Sequence, residues 1–499
     1  MPGPSAKIEP LVASGIHSAR RAWISIAALL VGTVILIWAG TWWRARVASG
    51  QVRSLAVLSF SDLTQRNEDW LAESFAGEII DRLAGVPGMH VLARTSALKI
   101  KSDAVKQLGI AATLEGSISE SGDWLHIALV MTRTSDGYRL WSATFERPAN
   151  DLHTAIEDVA AAVSHRLQLK VPAPRPYQPA AQAYAAYLQG RYLFDQSTPD
   201  TLNRAQGRLE QATAADPNFV RAWAWLSIVR EYRVAAGMAR PNQLMPASRD
   251  AAERAVALDS GSGDAHLALG IVKLQYDWDW SGAKEELDRA VKAFPESAFV
   301  LDWRGRWFQS QGRMTEAIAE TERALALDPL SPAISSDAAA QYVSLKQPAR
   351  AIPFAQKAVD LSPNDPAARA ALANVLLLAG EKEKSRQIVE ELRSSGAAAK
   401  LPASLLPSLE ARMGDPQDAR QLLDAAEDLP DDQLLPAVEY AGLAAVLEDW
   451  DRLFSWTEEA FGERDVALPY WPGSPLVPKS DPRFDAFLAQ MNLPAPESH

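Results

Sequence analysis

The side chains best placed to do chemistry lie between Asp277 and Asp288. Asp277-Trp278-Asp279-Trp280-Ser281-Gly282, with Asp288 beyond, offers oxygen groups at positions 1, 3, 5 and 12 of a calcium-type loop and glycine at position 6. The imitation is imperfect: position 12 is Asp in place of the bidentate Glu, and Lys284 follows closely. The stretch is expected to be a turn between two helices, with no metal. Gly261-Ser262-Gly263-Asp264-Ala265-His266 opens like a dinucleotide loop but lacks a preceding strand and the third glycine, so it too reads as a turn. The 7 histidines are scattered, and the sequence holds no H-E-x-x-H, no G-x-S-x-G, no Walker loop and no kinase or cyclase signature. The absence of cysteine excludes disulfides, thiolate metal sites and thiol nucleophiles. No catalytic residue and no cofactor is expected. Arg94 and Glu115 invite a reading as a paired site, but a structural ion pair between strands is the blander account and the preferred one.

The elements that must position these residues begin with Ala22 to Trp43, a run of 22 uncharged residues flanked by Trp23, Trp42, Trp43 and by Arg20, Arg21, Arg44 and Arg46. That length and those flanks predict a transmembrane helix over 22–43 after a short tail at 1–21. A cleaved signal peptide is the alternative, but the apolar run exceeds a normal signal core and no small-x-small site follows it. Lys7, Arg20 and Arg21 on one side are balanced by Arg44, Arg46 and Arg53 on the other, so charge leaves the orientation open. With 499 residues, 47% hydrophobic and 16 Trp, the remainder is long and apolar enough for more than one folded core. Residues 1–49 carry five Lys/Arg against one Glu, whereas the whole chain stands at −12, so most of the surface repels nucleic acid.

Residues 52–171 read as β-α-β-α-β-β-β-α. Ser54–Phe60 is a short apolar run suited to a buried strand, and Trp70, Leu71, Phe75, Ile79, Ile80 and Leu83 recur at helical spacing. Three strands follow, around Thr113–Ile118, Trp124–Met131 and Tyr138–Phe145, joined by Ser-Gly-Asp and Ser-Asp-Gly turns, and Leu152–Leu169 returns to the helical period. One mixed sheet covered by helices is the expectation. Through Leu55-Ala56-Val57-Leu58-x-Phe60, Pro87-Gly88, Ala93-Arg94-Thr95-Ser96, Leu108-Gly109, Leu114-Glu115-Gly116-Ser117 and Trp141, this region resembles the TolB amino-terminal-like (FlgO-type) domain of bacterial envelope proteins. It departs from that pattern at Ser59, where proline is usual, and in a shortened stretch between Lys101 and Leu108.

Four prolines between 172 and 180 mark a linker. Beyond it one phrase recurs: AVALD at 255–259, AVKAF at 290–294, ALALD at 324–328 and AVDLS at 358–362, spaced by 35, 34 and 34 residues. Pro295, Pro329 and Pro363 follow at the same period, and Ala283, Ala317 and Ala351 precede each phrase by 7 residues, on the same helix face as Ala290, Ala324 and Ala358. Residues 181–465 thus resemble an array of tetratricopeptide repeats, two-helix units that bury their apolar faces only by stacking on neighbours. Residues 466–499, with Asp481-Pro482-Arg483-Phe484 at their centre, are similar to the element that closes such arrays.

The fold expected is therefore α+β: one transmembrane helix, a small mixed α/β sheet domain, then an all-α solenoid. The resemblances imply a non-catalytic membrane-anchored interaction scaffold or sensor in the bacterial inner membrane, single-pass, with its carboxy-terminal domains in the periplasm. They also imply partners that are other envelope proteins or extended peptides, bound on the concave face of the array; helical spacing maps Phe299, Asp302, Arg306, Gln309, Ser336 and Asn374 onto that face. The alternative is the receptor half of an adenylate cyclase-like or CadC-type regulatory system lacking its own effector domain.

Overall fold

The computed structural model describes residues 52–64, 69–100, 102–169, 177–430 and 434–493. Ser54–His499 forms one compact unit, which holds the sheet and the helical repeats.

The first strand, β1 (Ser54–Val57), is central to the sheet. It pairs in parallel with β3 (His90–Val91) and with β4 (Ala112–Ser121), while β2 (Ser61–Asp62) pairs further along β4. Leu55, Ala56 and Val57 are fully buried, which explains why β1 is apolar without alternation. From β4 the sheet turns antiparallel through β5 (Trp124–Arg133) to β6 (Arg139–Pro148), giving the order β3-β1-β4-β5-β6. Gly122 and Gly137 hold positive φ in the two connecting turns, which only glycine adopts without cost. One face is covered by α1 (Asp69–Ala84) and α4 (Leu152–Arg166), which bury Phe75, Ile79, Leu83, Ile156, Val159 and Val163. Between them in the chain lie two single-turn helices, α2 (Arg94–Ala97) and α3 (Ser102–Val105).

The rest is a solenoid of antiparallel helix pairs. Its first helices are α5 (Ala181–Gln196), α7 (Val220–Ala235), α9 (Gly263–Val272), α11 (Ala298–Ser310), α13 (Pro332–Ser344) and α15 (Pro366–Leu378). Their partners are α6 (Pro199–Ala215), α8 (Pro241–Leu258), α10 (Trp280–Ala293), α12 (Met314–Leu327), α14 (Pro348–Leu361) and α16 (Lys382–Ser394). Two shorter pairs follow, at Leu405–Arg412 with Gln417–Ala425 and at Ala437–Val446 with Trp450–Glu463. Ala283, Ala290, Ala317, Ala324, Ala351 and Ala358 are all buried where helices cross, because a methyl group is the largest side chain the approach admits. Gly305 fulfils the same need from the other side, since a Cβ there would meet Thr321 Oγ1 at 2.9 Å. Ser262, Ser297, Ser331 and Asp365 cap α9, α11, α13 and α15, each accepting a backbone N–H of the first turn.

Three expectations are corrected. The fold class does not stand as an α+β chain opening with a transmembrane helix: the described chain is mostly helical solenoid with a small sheet at its start. Among the described residues no helix is long and apolar enough to cross a membrane, so neither a membrane span nor single-pass inner-membrane localisation with periplasmic domains is carried further; the run at 22–43 lies outside the described residues. Finally, Pro241 and Pro246, which in the sequence suggest that residues 237–250 are inserted between the helices of the second repeat, mark no such insertion. Proline is tolerated at the first helical position, and Pro241 starts the 18-residue α8, which contains both.

The closing segment returns along earlier repeats. Met491 accepts a hydrogen bond from Trp280 Nε1 at 2.7 Å, Tyr470 donates to Gln275 Oε1 at 3.1 Å, and Arg240 donates to Glu463 at 2.6 Å.

Candidate functional site

Where the sheet and the first repeats meet, a buried polar network fixes one against the other. Glu78 on α1 is fully buried and accepts from Arg221 on α7 and from the hydroxyls of Tyr184 and Tyr187 on α5 at 3.2 and 3.1 Å. Burial alone pushes its carboxyl up, but Arg221, Arg191 and Arg82 outweigh that and hold it down at about 2. Asp81, one turn along, pairs with Arg191 at 3.1 Å, and here burial prevails and raises the carboxyl. Arg94 turns to Asp195 of α5, Nε to Oδ2 at 2.5 Å, with its guanidinium lying on Gly77. Glu115 is exposed, so the expected pairing of Arg94 with Glu115 is replaced by one that ties the sheet to the solenoid. Ala93 N donates to Leu327 O at 2.8 Å and Ser96 Oγ donates to Asp328, which extends the junction to the fourth repeat.

Beside this network opens a cleft of about 2240 Å3. One wall comes from α1 and the segment at Val91–Lys99, the other from the starts of the first helices of successive repeats. The caps Ser262, Ser297, Ser331 and Asp365 all stand on it. Phe194, Trp225, Tyr232 and Phe299 form an aromatic group in the cleft wall, Trp225 and Phe299 stacking with ring centres 5.7 Å apart and Phe194 set edge-on to Tyr232 at 4.8 Å. Arg191 lies over Trp225 at 3.4 Å. Phe299 and Tyr232 are only half-buried, which leaves apolar surface facing the open space.

Of the residues mapped by spacing, Phe299, Asp302 and Ser336 line this cleft. Asp302 is buried and accepts from Arg306, which also donates to Asp337 at 2.7 Å and lies over the Trp303 ring. Burial, followed by the negative Asp337, holds the Asp302 carboxyl well above the usual range. Glu231 faces the same group; burial pushes it up to about 7 against the pull of Arg306 and the hydrogen bond from Gln275. Arg306 and Gln309 lie outside the cleft lining, and Asn374 is engaged as acceptor for Arg412 at 2.6 Å. Helical spacing overlooks Asp195, Phe194, Trp225 and Tyr232, and Arg94 is singled out with a different partner. The recurring Ser/Asp caps are the available signal, since their period places them in one row.

The stretch at 277–288 spends its charges internally. Asp277 pairs with Arg249, Asp288 lies 2.5 Å from Lys284, and Asp279 caps α10 through Gly282 N while lying 3.6 Å from Lys273.

The tetratricopeptide repeat family matches residues 342–406. A protein called putative adenylate cyclase 3, from Rhizobium meliloti (strain 1021), is 24% identical over 233 residues, which is 44% of this chain and 40% of that protein. The chain thus spans well under two thirds of the curated relative it matches. Among solved structures, TTC0263, a thermophilic tetratricopeptide protein of Thermus thermophilus, aligns with 39% of this chain and 99% of its own at 20% identity and a TM-score of 0.33. Pseudomonas aeruginosa pilF aligns with 54% of this chain and 97% of its own at 21% identity and a TM-score of 0.29. Stacked helix pairs at a period of 34 to 35 residues, together with the family match inside them, identify the solenoid as a tetratricopeptide repeat array.

Proposed function

We propose that this protein is a non-catalytic scaffold that binds an extended segment of another protein in the cleft between its sheet and its first repeats. The observation that supports the reading is the half-buried aromatic group of Phe299 and Tyr232, backed by Trp225 and Phe194 and bordered by charged side chains already paired with one another. An apolar anchor point with a polar rim suits recognition of a side chain in a peptide. A photo-crosslinking amino acid at Ser336, followed by identification of the captured segment, tests it. Crosslinks lost on Phe299→Ala are expected; identical capture by both versions sinks the assignment.

A second reading rests on the relative named putative adenylate cyclase 3: the protein serves as receptor for a signalling effector. Reconstitution with a candidate cyclase distinguishes the two. Cyclase output that changes when this protein is added favours the receptor, and output indifferent to it removes that reading.

A further inference from the structure

We propose that β6 is a self-association edge, and that two copies of this chain join through it into one continuous antiparallel sheet. This goes beyond the scaffold reading and does not depend on it. Among the described residues no strand pairs with the outer side of β6, a ten-residue strand at the end of the sheet order.

The hydrogen-bonding direction of each residue follows from the ladder. Ala149 N donates to Asp123 O, and the register sets Arg147 against Leu125, Phe145 against Ile127 and Ala143 against Leu129. In an antiparallel pair such bonded positions alternate, so the odd-numbered residues address β5 and Ser142, Thr144 and Glu146 direct N–H and C=O outward. The Leu140 carbonyl also points outward, accepting from Arg166 Nη2 at 3.0 Å.

The partner that fits this edge is the edge itself. A two-fold axis normal to the sheet keeps the helix-covered faces of both copies on one side, so odd residues must oppose odd. With the axis at Ala143, Ser142 bonds to Thr144 of the second copy and Leu140 meets Glu146, while Trp141 faces Phe145 in a non-bonded pair on each side. Trp141 and Phe145 are only half-buried against the helices of their own sheet, and non-bonded positions bring side chains closest. The same register sets Glu146 opposite Leu140, twice over; the Glu146 carboxylate lies 3.3 Å from His126 Nδ1, and the outward Glu146 and Leu140 carbonyls, which accept from Arg147 Nη1 at 2.6 Å and Arg166 Nη2 at 3.0 Å, pair with the second copy once those two guanidinium groups swing aside. Arg139 comes opposite Arg147, whose charge is held by Asp158 through Nε at 2.6 Å.

The lack of cysteine makes the test clean. At the axis, a non-bonded pair places the two Cα atoms about 4.5 Å apart, within disulfide range. Full-length Ala143→Cys, purified in mild detergent and oxidised, is expected to run mainly as a disulfide-linked dimer, with Thr144→Cys linking at least tenfold less. Light scattering of the unmodified chain at micromolar concentration should give the dimer mass. Thr144→Pro, which removes an outward N–H only, should give the monomer with an unchanged circular dichroism spectrum. A monomer for the unmodified chain, stronger linking at Thr144→Cys than at Ala143→Cys, or a dimer mass unaffected by Thr144→Pro overturns the proposal. If Thr144→Pro does not fold, the two cysteine variants decide.

Discussion

Two buried carboxyls of this protein, Glu78 and Glu231, have opposite fates, and the guanidinium groups that face each account for the difference. Glu78 has three and stays charged; Glu231 sees essentially Arg306 alone and is raised to about 7. Glu78→Gln leaves Arg221 with a lost partner in a dry site and is expected to lower stability by about 3–5 kcal/mol in urea titration. For Glu231 the sign runs the other way from a common salt bridge. Its folded value lies above the unfolded 4.5, so the folded state holds more protons between about 4.5 and 7, and stability falls as pH rises through that window. The contribution is on the order of 3 kcal/mol at most, by the linkage slope. Urea midpoints from pH 5 to 7.5 should decline less in Glu231→Gln than in the parent; parallel curves refute the assignment. At this scale the sequence is least legible. Arg94 sits on a strand-rich stretch near Glu115 in the chain, yet its partner is Asp195 on the first repeat helix, and a charge cannot announce which distant element will desolvate it.

The helices are far more legible, because their physics is local. The alanine period, the proline after three of the four phrases and the Ser or Asp before α9, α11, α13 and α15 describe close crossings, stops and caps without reference to anything distant. Gly305 belongs to that grammar: its missing side chain admits Thr321 and Ala317 of the partner helix α12. Gly305→Val should cost about 1–3 kcal/mol through overpacking, read as a lower thermal midpoint, and an unchanged midpoint would mean the crossing is looser than described. The two prolines of α8 show where local grammar misleads. By themselves they signal a break, but a helix already held on its neighbours accepts Pro241 at its start and Pro246 within it.

Across the whole molecule, the sheet and the solenoid share the Glu78 network, the Ala93–Leu327 hydrogen bond and the Ser96–Asp328 contact. They are expected to unfold in one calorimetric transition, and two well-separated transitions would show that the junction carries little energy. The closing segment acts at the same scale. Removing residues 466–499 uncovers Trp280, Gln275 and the Arg306 cluster, so the truncated chain should bind a hydrophobic dye more strongly and unfold at lower denaturant concentration. The sequence by itself determined the period of the repeats, because the small residues and prolines that set each crossing and stop act within a turn or two of chain. Only the tertiary structure decided that the sheet docks on the repeats, that a cleft opens beside the junction, and that the chain's end folds back over earlier units. Those depend on which buried charges and aromatic rings meet across more than a hundred residues, and pairings of that reach leave no periodic mark in a single sequence.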